Sequence, residues 1–205
     1  SHRLATYENA LRRLQELDLV YPCYLTRKEL DAALSAPHDS PAPIATDGML
    51  PAAETERRAS DGRAAAWRLR SAAALDQAGP ISWFDARSGC DVPVDMSAHG
   101  DLVIARRDIG TSYHLSVVVD DAIDGVTHVT RGEDLADSTH VHRLLQTLLG
   151  LPSPVYFHHA LVTAKSGKRL AKRDKAASLA SLRRAGQTVD NIVANLPPLS
   201  SLKLP

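Results

Sequence analysis

Val126-Thr127-His128-Val129-Thr130, then Val141-His142-Arg143-Leu144-Leu145-Gln146-Thr147-Leu148-Leu149-Gly150, then Val155-Tyr156-Phe157 decide the fold of this chain. The first and last runs are short and rich in β-branched and aromatic residues, which pack well on a pleated surface, so both read as strands. Between them Val141, Leu144, Leu145, Leu148 and Leu149 recur at steps of three and four, the stripe of a helix with one apolar face. Asp137 or Ser138 offers an N-cap, and Gly150 suits the left-handed residue that ends a helix. Strand, helix, strand at this spacing predicts a βαβ unit, hence a parallel sheet with a right-handed crossover.

Outward from that unit the pattern is weaker. Upstream, Ser112–Asp120 is ambiguous: Val117-Val118-Val119 favours β, while Tyr113, Ser116, Val117 and Asp120 fit a helix. Asp101-Leu102-Val103-Ile104-Ala105, Ile81-Ser82-Trp83-Phe84-Asp85 and Trp67-Arg68-Leu69-Arg70 read as strands. Tyr7, Leu11 and Leu14 predict an opening helix, stopped by Tyr21-Pro22. Thr26-Arg27-Lys28-Glu29 has the form of a capping box and predicts a second helix to about Leu34. Ala36–Arg63, with Pro37, Pro41, Pro43 and Pro51, shows neither period and reads as a long mobile loop. The tail predicts helices over about Lys175–Ala185 and Val189–Leu196. Four segments result: 1–35 helical, 36–65 Pro/Ala-rich loop, 66–165 strand-rich with the βαβ unit, and 166–205 a basic loop with terminal helices.

Composition narrows the class. The 205 residues carry 24 Lys+Arg against 24 Asp+Glu, with 44% hydrophobic and 23% charged, so collagen-like, wholly disordered and coiled-coil chains are excluded. No apolar run has the ~18–20 residues needed to span a bilayer. Two cysteines, Cys23 and Cys90, make no disulfide framework, and a reducing cytoplasm is the expected compartment. Zero net charge leaves nucleic acid open, because binding follows local patches.

Two places carry candidate chemistry. Lys165-Ser166-Gly167-Lys168-Arg169-Leu170-Ala171-Lys172-Arg173 is a basic, glycine-containing loop just past the last strand, where an open α/β sheet holds phosphorylated ligands; a solvated loop has the same composition. Arg131 ends a strand and could grip a carboxylate through two parallel N–H bonds, or could pair with Glu133 or Asp134. Asp120-Asp121 are adjacent and diverge by ~100° on a helix, so a shared metal is not expected. The nine histidines show no zinc-ligand spacing, and nucleophile-elbow, Walker and dinucleotide fingerprints are absent.

Several stretches in order resemble the class I glutamyl-tRNA synthetases, above all their short branch that acts on queuosine of tRNA(Asp). They are Ser1-His2-Arg3 with Tyr7, Tyr21-Pro22-Cys23-Tyr24-Leu25-Thr26-Arg27, Gly100–Asp108, Tyr113–Asp121 and Gly125–Leu135. Arg169-Leu170-Ala171-Lys172-Arg173 stands where that family has its Lys-Met-Ser-Lys-Ser-type signature. The resemblance implies an α/β fold, the second half of a Rossmann-type catalytic domain, with a helix at 112–122 and a short C-terminal helical region. It implies ATP-dependent activation of glutamate as glutamyl adenylate, then transfer to queuosine of tRNA(Asp). The alternatives are a glutamyl-tRNA synthetase piece charging tRNA(Glu), or a non-catalytic RNA- or protein-binding remnant.

By the same resemblance Tyr113 and Arg131 bind glutamate. Lys172 binds ATP and acts catalytically, its ammonium stabilising charge on the departing pyrophosphate. The partners implied are glutamate, ATP and tRNA(Asp), with no membrane. The family's His-Ile-Gly-His-type motif belongs ahead of Ser1, so the chain is expected to be a fragment or an N-terminally truncated form, with the missing N-terminal half as a partner and activity alone doubtful. The family often binds zinc through Cys-x-Cys followed by Tyr and Cys. Here Cys23 matches the first ligand, Leu25 stands at the second, and no Cys or Tyr follows before Cys90. No metal site is therefore expected.

Overall fold

The computed structural model describes residues 3–35, 45–161, 178–194 and 196. In chain order the elements are α1 (Leu4–Glu16), β1 (Val20–Cys23), α2 (Arg27–Ser35), α3 (Ala52–Ser60), β2 (Ala66–Leu69), α4 (Ser71–Ala78), β3 (Ser82–Asp85) and β4 (Cys90–Pro93). There follow β5 (Leu102–Ala105), α5 (Tyr113–Ile123), β6 (His128–Gly132), a 3-10 turn (Glu133–Leu135), α6 (Ala136–Leu149), β7 (Val155–His159), α7 (Leu179–Arg184) and α8 (Val189–Ala194).

The central prediction holds: β6 and β7 lie side by side in parallel, Arg131 opposite His158 and Gly132 opposite His159, with α6 as the crossover between them. Their sheet has the order β4-β3-β7-β6 and is mixed, because β3 runs parallel to β7 but antiparallel to β4. A second, wholly antiparallel sheet has the order β1-β2-β5. The α/β class is as expected.

The core sits where α1, α5 and α6 meet. Tyr7 and Leu14, Leu115, Val118 and Val119, and Val141, Leu144, Leu145 and Leu148 are buried in one cluster with Leu69 and Ile104 of the antiparallel sheet. Burying each such side chain contributes roughly 1.5–3 kcal/mol. Apolar stripes on three helices thus converge, and α1 is fixed against α5 at its polar rim too: the Tyr7 hydroxyl donates to Asp120 at 2.8 Å and Arg3 to Asp120 at 3.1 Å. Asp120 is therefore a packing residue, turned to α1.

At 112–122 the structure has a helix, capped by Ser112, whose side chain accepts from the Leu115 amide. The capping box at α2 is formed: the Thr26 amide donates to Glu29 at 2.7 Å and the Glu29 amide to Thr26 at 3.2 Å. Gly150 ends α6 with φ of 67°, the left-handed geometry that glycine adopts without steric cost.

Four expectations are corrected. The opening helix ends before Tyr21-Pro22, at Leu17, followed by Asp18 at φ of 54°. Pro22 instead lies in β1, an edge strand, where a missing N–H costs no ladder bond. Neither Asp137 nor Ser138 caps α6; the 3-10 turn feeds straight into it and Leu135 takes the cap position with no side-chain bond. The strand read as Val126–Thr130 is placed two residues later, at His128–Gly132.

The segment read as a loop over 36–65 contains α3. This helix has alanine as its only apolar residue type and no apolar stripe, so hydrophobic periodicity could not reveal it. It is fixed by Arg58, which donates to Glu54 at 2.5 Å, to both Glu29 oxygens at 2.9 and 2.6 Å, and to the Tyr24 carbonyl at 3.0 Å. One guanidinium thus ties α3 to α2 and to the end of β1. Residues 36–44 and the basic loop lie outside the described residues.

An Arg58→Met substitution keeps the apolar stem and removes the fork. Its expected outcome is lost hydrogen-exchange protection of the amides over 52–60, with the amides of α6 unchanged.

Candidate active site at the carboxyl ends of two parallel strands

Arg131 and His158 sit opposite each other near the carboxyl ends of β6 and β7, the edge at which parallel sheets place their ligands. The Arg131 guanidinium is held on three sides by neutral groups. Nε donates to His158 Nε2 at 3.2 Å, one terminal nitrogen faces His142 Nδ1 at 3.2 Å, and the other donates to Thr139 Oγ1 at 2.6 Å. Its carbon lies 5.4 Å from the centroid of the Tyr156 ring, close enough for a cation–π contact. Arg131 belongs to none of the ion pairs among the described residues; Glu133 pairs with Arg87 at 3.4 Å instead. The reading in which Arg131 is neutralised by Glu133 or Asp134 is thereby set aside.

α6 serves this site as well as the core. Thr139, His142 and Gln146 follow one another at three and four residues, so they share one side of the helix, and all are buried. Thr139 and His142 meet Arg131, while Gln146 donates to the Tyr156 hydroxyl at 2.9 Å. Beneath them Trp83 meets His140, Tyr156 and His158 edge-on, at 5.6–5.8 Å between ring centroids.

Tyr113 lies at the start of α5 and is 49% exposed. Its ring packs edge-on against His114 and His142, at 5.4 and 5.5 Å. His114 Nδ1 in turn faces His142 Nε2 at 3.2 Å. The structure therefore brings Tyr113 and Arg131 together through one shared neighbour, His142. Lys172 falls outside the described residues. The chain leading toward it departs from the same place: the Leu161 amide donates to Glu133 at 3.3 Å, just past Gly132. A β-carbon on Gly132 would lie 2.4 Å from Asp134 Oδ1 and 2.9 Å from Leu161 Cδ2, so any larger residue there would displace those side chains.

The electrostatics follow from burial beside a permanent cation. Desolvation, then the Arg131 charge, pushes His142 down to about 2. The same two causes in the same order push His158 down to about 4. His114 is also lowered, first by burial. Asp121, on α5, is shifted upward by burial, although the Arg131 charge opposes this. At neutral pH the result is one fixed positive charge among uncharged imidazoles. A guanidinium has five N–H groups and three are engaged, so two remain for the two oxygens of an incoming carboxylate.

Sequence reasoning singled out Arg131 and Tyr113 but missed Thr139, His142, His158 and His114. Thr139 and His142 belong to the polar stripe at 139, 142 and 146 of α6, while His114 and His158 carry no spacing signal.

Cys23 lies elsewhere, in a cleft of about 440 Å³ that Tyr21, Leu25, Thr46 and Leu50 also line. Leu25 offers no donor, and the described residues contain no group of three or more His, Cys, Asp or Glu able to hold a metal. Among the described residues lining that cleft the side-chain donors besides Cys23 are oxygens, those of Tyr24, Asp47 and Glu56 among them.

Comparison with known proteins places the chain in a family. The family model described as tRNA synthetases class I (E and Q), catalytic domain, matches residues 1–196. The chain belongs to this family. A relative from Rhodobacter capsulatus named glutamyl-Q tRNA(Asp) synthetase is 45% identical over 204 residues, covering 94% of this chain and 72% of the relative. Relatives of the same name from Nocardia farcinica and Symbiobacterium thermophilum are 43% and 41% identical, and this chain spans 63% and 62% of their lengths. Among solved structures, a glutamate tRNA ligase from Elizabethkingia meningosepticum in complex with its amino acid superposes with a TM-score of 0.66 at 27% identity, covering 85% of this chain and 36% of that one. No helix among the described residues is long and apolar enough to cross a membrane.

The two buried imidazoles make stability depend on pH with a definite sign. They stay neutral in the fold but protonate near 6.5 in the unfolded chain, so the unfolded state binds more protons as pH falls and stability drops with it. Each adds a slope of ~1.4 kcal/mol per pH unit below about 6.5, flattening near 4 for His158 and lower for His142. Urea melts at pH 7, 6 and 5 should show this loss, and His158→Gln should remove one such slope. An unchanged slope in His158→Gln would assign the dependence elsewhere.

Proposed function

We propose that the protein carrying this chain activates glutamate with ATP and transfers the glutamyl group to queuosine of tRNA(Asp), in the cytoplasm. The observation that supports this most is Arg131: a cation at a strand end, anchored by neutral partners, with two N–H groups left for a carboxylate. The names of the relatives at 41–45% identity support the acceptor.

Glutamate has two carboxylates with different tasks. One attacks the α-phosphate of ATP, forming a new P–O bond as the bond to the β-phosphate oxygen breaks and pyrophosphate leaves. A carboxylate paired with a guanidinium is a poorer nucleophile, so Arg131 grips the other one and leaves the attacking group free. Tyr113, exposed at the start of α5, offers its hydroxyl to the same substrate. Lys172 would meet the phosphates, its ammonium stabilising negative charge that grows on the leaving pyrophosphate. Queuosine then displaces AMP from the adenylate to form the ester.

A second reading, charging of tRNA(Glu), draws on solved glutamate–tRNA ligases at 27% identity. Transfer of radiolabelled glutamate to tRNA(Asp) or to tRNA(Glu) distinguishes the two. A protein silent in both transfers and in glutamate-dependent exchange would match the non-catalytic binding reading.

The first step is measured by glutamate-dependent ATP–pyrophosphate exchange without tRNA. Arg131→Ala is expected to reduce kcat/KM for glutamate by ~10²–10³, the usual cost of one such charged contact. Exchange that survives Arg131→Ala unchanged would overturn the glutamate assignment. Metal analysis of the purified protein is expected to find no stoichiometric zinc; one equivalent per chain would overturn the reading of Leu25.

A further inference from the structure

His142 is the most buried histidine of the site, 2% exposed, and the chemistry above gives it no task. We infer that His142 is a positioning residue for glutamate, a one-way hydrogen-bond relay that holds the Arg131 guanidinium at one end and the Tyr113–His114 start of α5 at the other. This rests on the ligase reading above and adds a residue to it.

Polarity fixes the relay. A guanidinium N–H can only donate, so His142 Nδ1, 3.2 Å from Arg131, must accept. A neutral imidazole has one proton, which then stands on Nε2 and is donated to His114 Nδ1 at 3.2 Å. His114 accepts there and keeps its own proton on Nε2. The tautomers of two histidines thus follow from one arginine. The order cannot reverse while Arg131 is charged, which is at all accessible pH.

The relay joins three elements, two of which carry the substrate contacts. Arg131 comes from β6, His142 from α6, and Tyr113 with His114 from α5. Tyr113 packs edge-on against both imidazoles, with interplanar angles of 62° and 61°. A shift of His142 would therefore move both substrate contacts at once. Thr139 and His158 hold the other two nitrogens of the fork, but without His142 the remaining terminal nitrogen has no acceptor fixing its direction. An uncharged ring is also suited to this place. It orients the cation without neutralising it, and beside the cation in a buried setting it does not acquire a second charge.

The experiment measures glutamate KM, ATP KM and kcat by ATP–pyrophosphate exchange in the protein carrying this chain, with circular dichroism melts of each variant. His142→Phe keeps a flat ring and removes both hydrogen bonds; glutamate KM is expected to rise about tenfold or more while ATP KM stays within about twofold. His142→Gln restores one acceptor and one donor without a titratable group, and is expected to return glutamate KM to within about threefold of the parent. A rise in both KM values together, no rise in either, or a Gln variant as impaired as Phe overturns the relay. If His142→Phe fails to fold, His114→Leu carries the test at the half-buried end, where an unchanged glutamate KM overturns the relay. A parent protein without glutamate-dependent exchange overturns the ligase reading and the relay together, whereas an active parent with an unaffected His142→Phe overturns the relay alone.

Discussion

A guanidinium that must stay charged, partly out of water, and unpaired constrains most of what surrounds it. Removing a cation from water is costly, and a carboxylate partner would be the simple remedy. Here the compensation is spread instead over two imidazoles, a hydroxyl and the face of Tyr156. Hydrogen bonds from a charged donor contribute ~1.5–3 kcal/mol each, so three of them offset a substantial part of the desolvation. Because every acceptor is neutral, the positive charge is not cancelled. It remains available to an anion that brings its own charge to the site.

That constraint explains the unusual make-up of α6. A crossover helix between parallel strands has to bury an apolar face on the sheet and its neighbouring helices, and Val141, Leu144, Leu145 and Leu148 do so. The same helix must also present acceptors to Arg131 at the adjoining strand end. Thr139 and His142 meet that need from an adjacent stripe, which Gln146 continues one turn on to the Tyr156 hydroxyl. Sheet, crossover and site are thus one unit: Arg131 faces His158 because β6 pairs with β7 in register, and the register depends on the helix that joins them.

What could be read from sequence follows the same physics. The βαβ unit was legible because its apolar periods are local and strong. Arg131 was legible because it ends a strand, and Tyr113 through resemblance to a family. α3 was not, since a helix held by Arg58 to Glu29 and Glu54 has no apolar signature; its cause lies 29 residues away. Thr139, His142 and His158 were missed for a related reason. A histidine that accepts from an arginine obeys no fixed spacing, unlike a zinc ligand, and its partner is specified only once strands pair. The start of β6 was misplaced because Val126-Thr127 has β-branched character, whereas ladder pairing begins at His128 opposite Val155.

The polar stripe also has a cost, and the cost points to a purpose. Trp83 Nε1 and Gln146 Oε1 are buried with no hydrogen-bond partner among the described residues, each a penalty of ~1–3 kcal/mol. An interior built for stability alone would place leucine or valine at 139, 142 and 146, removing buried polar atoms and the acid sensitivity of the neutral His142 imidazole. Such a helix would pack well against Tyr156, yet Arg131 would keep only His158 as an acceptor and its two terminal nitrogens would face hydrocarbon. It would have to swing toward solvent or to the nearest carboxylate. Local rules of stable packing are broken here in one continuous patch, from Trp83 through Gln146 and His142 to Arg131, and nowhere is the breach explained by the fold itself. A patch of that kind is what a site selected for binding leaves in a core.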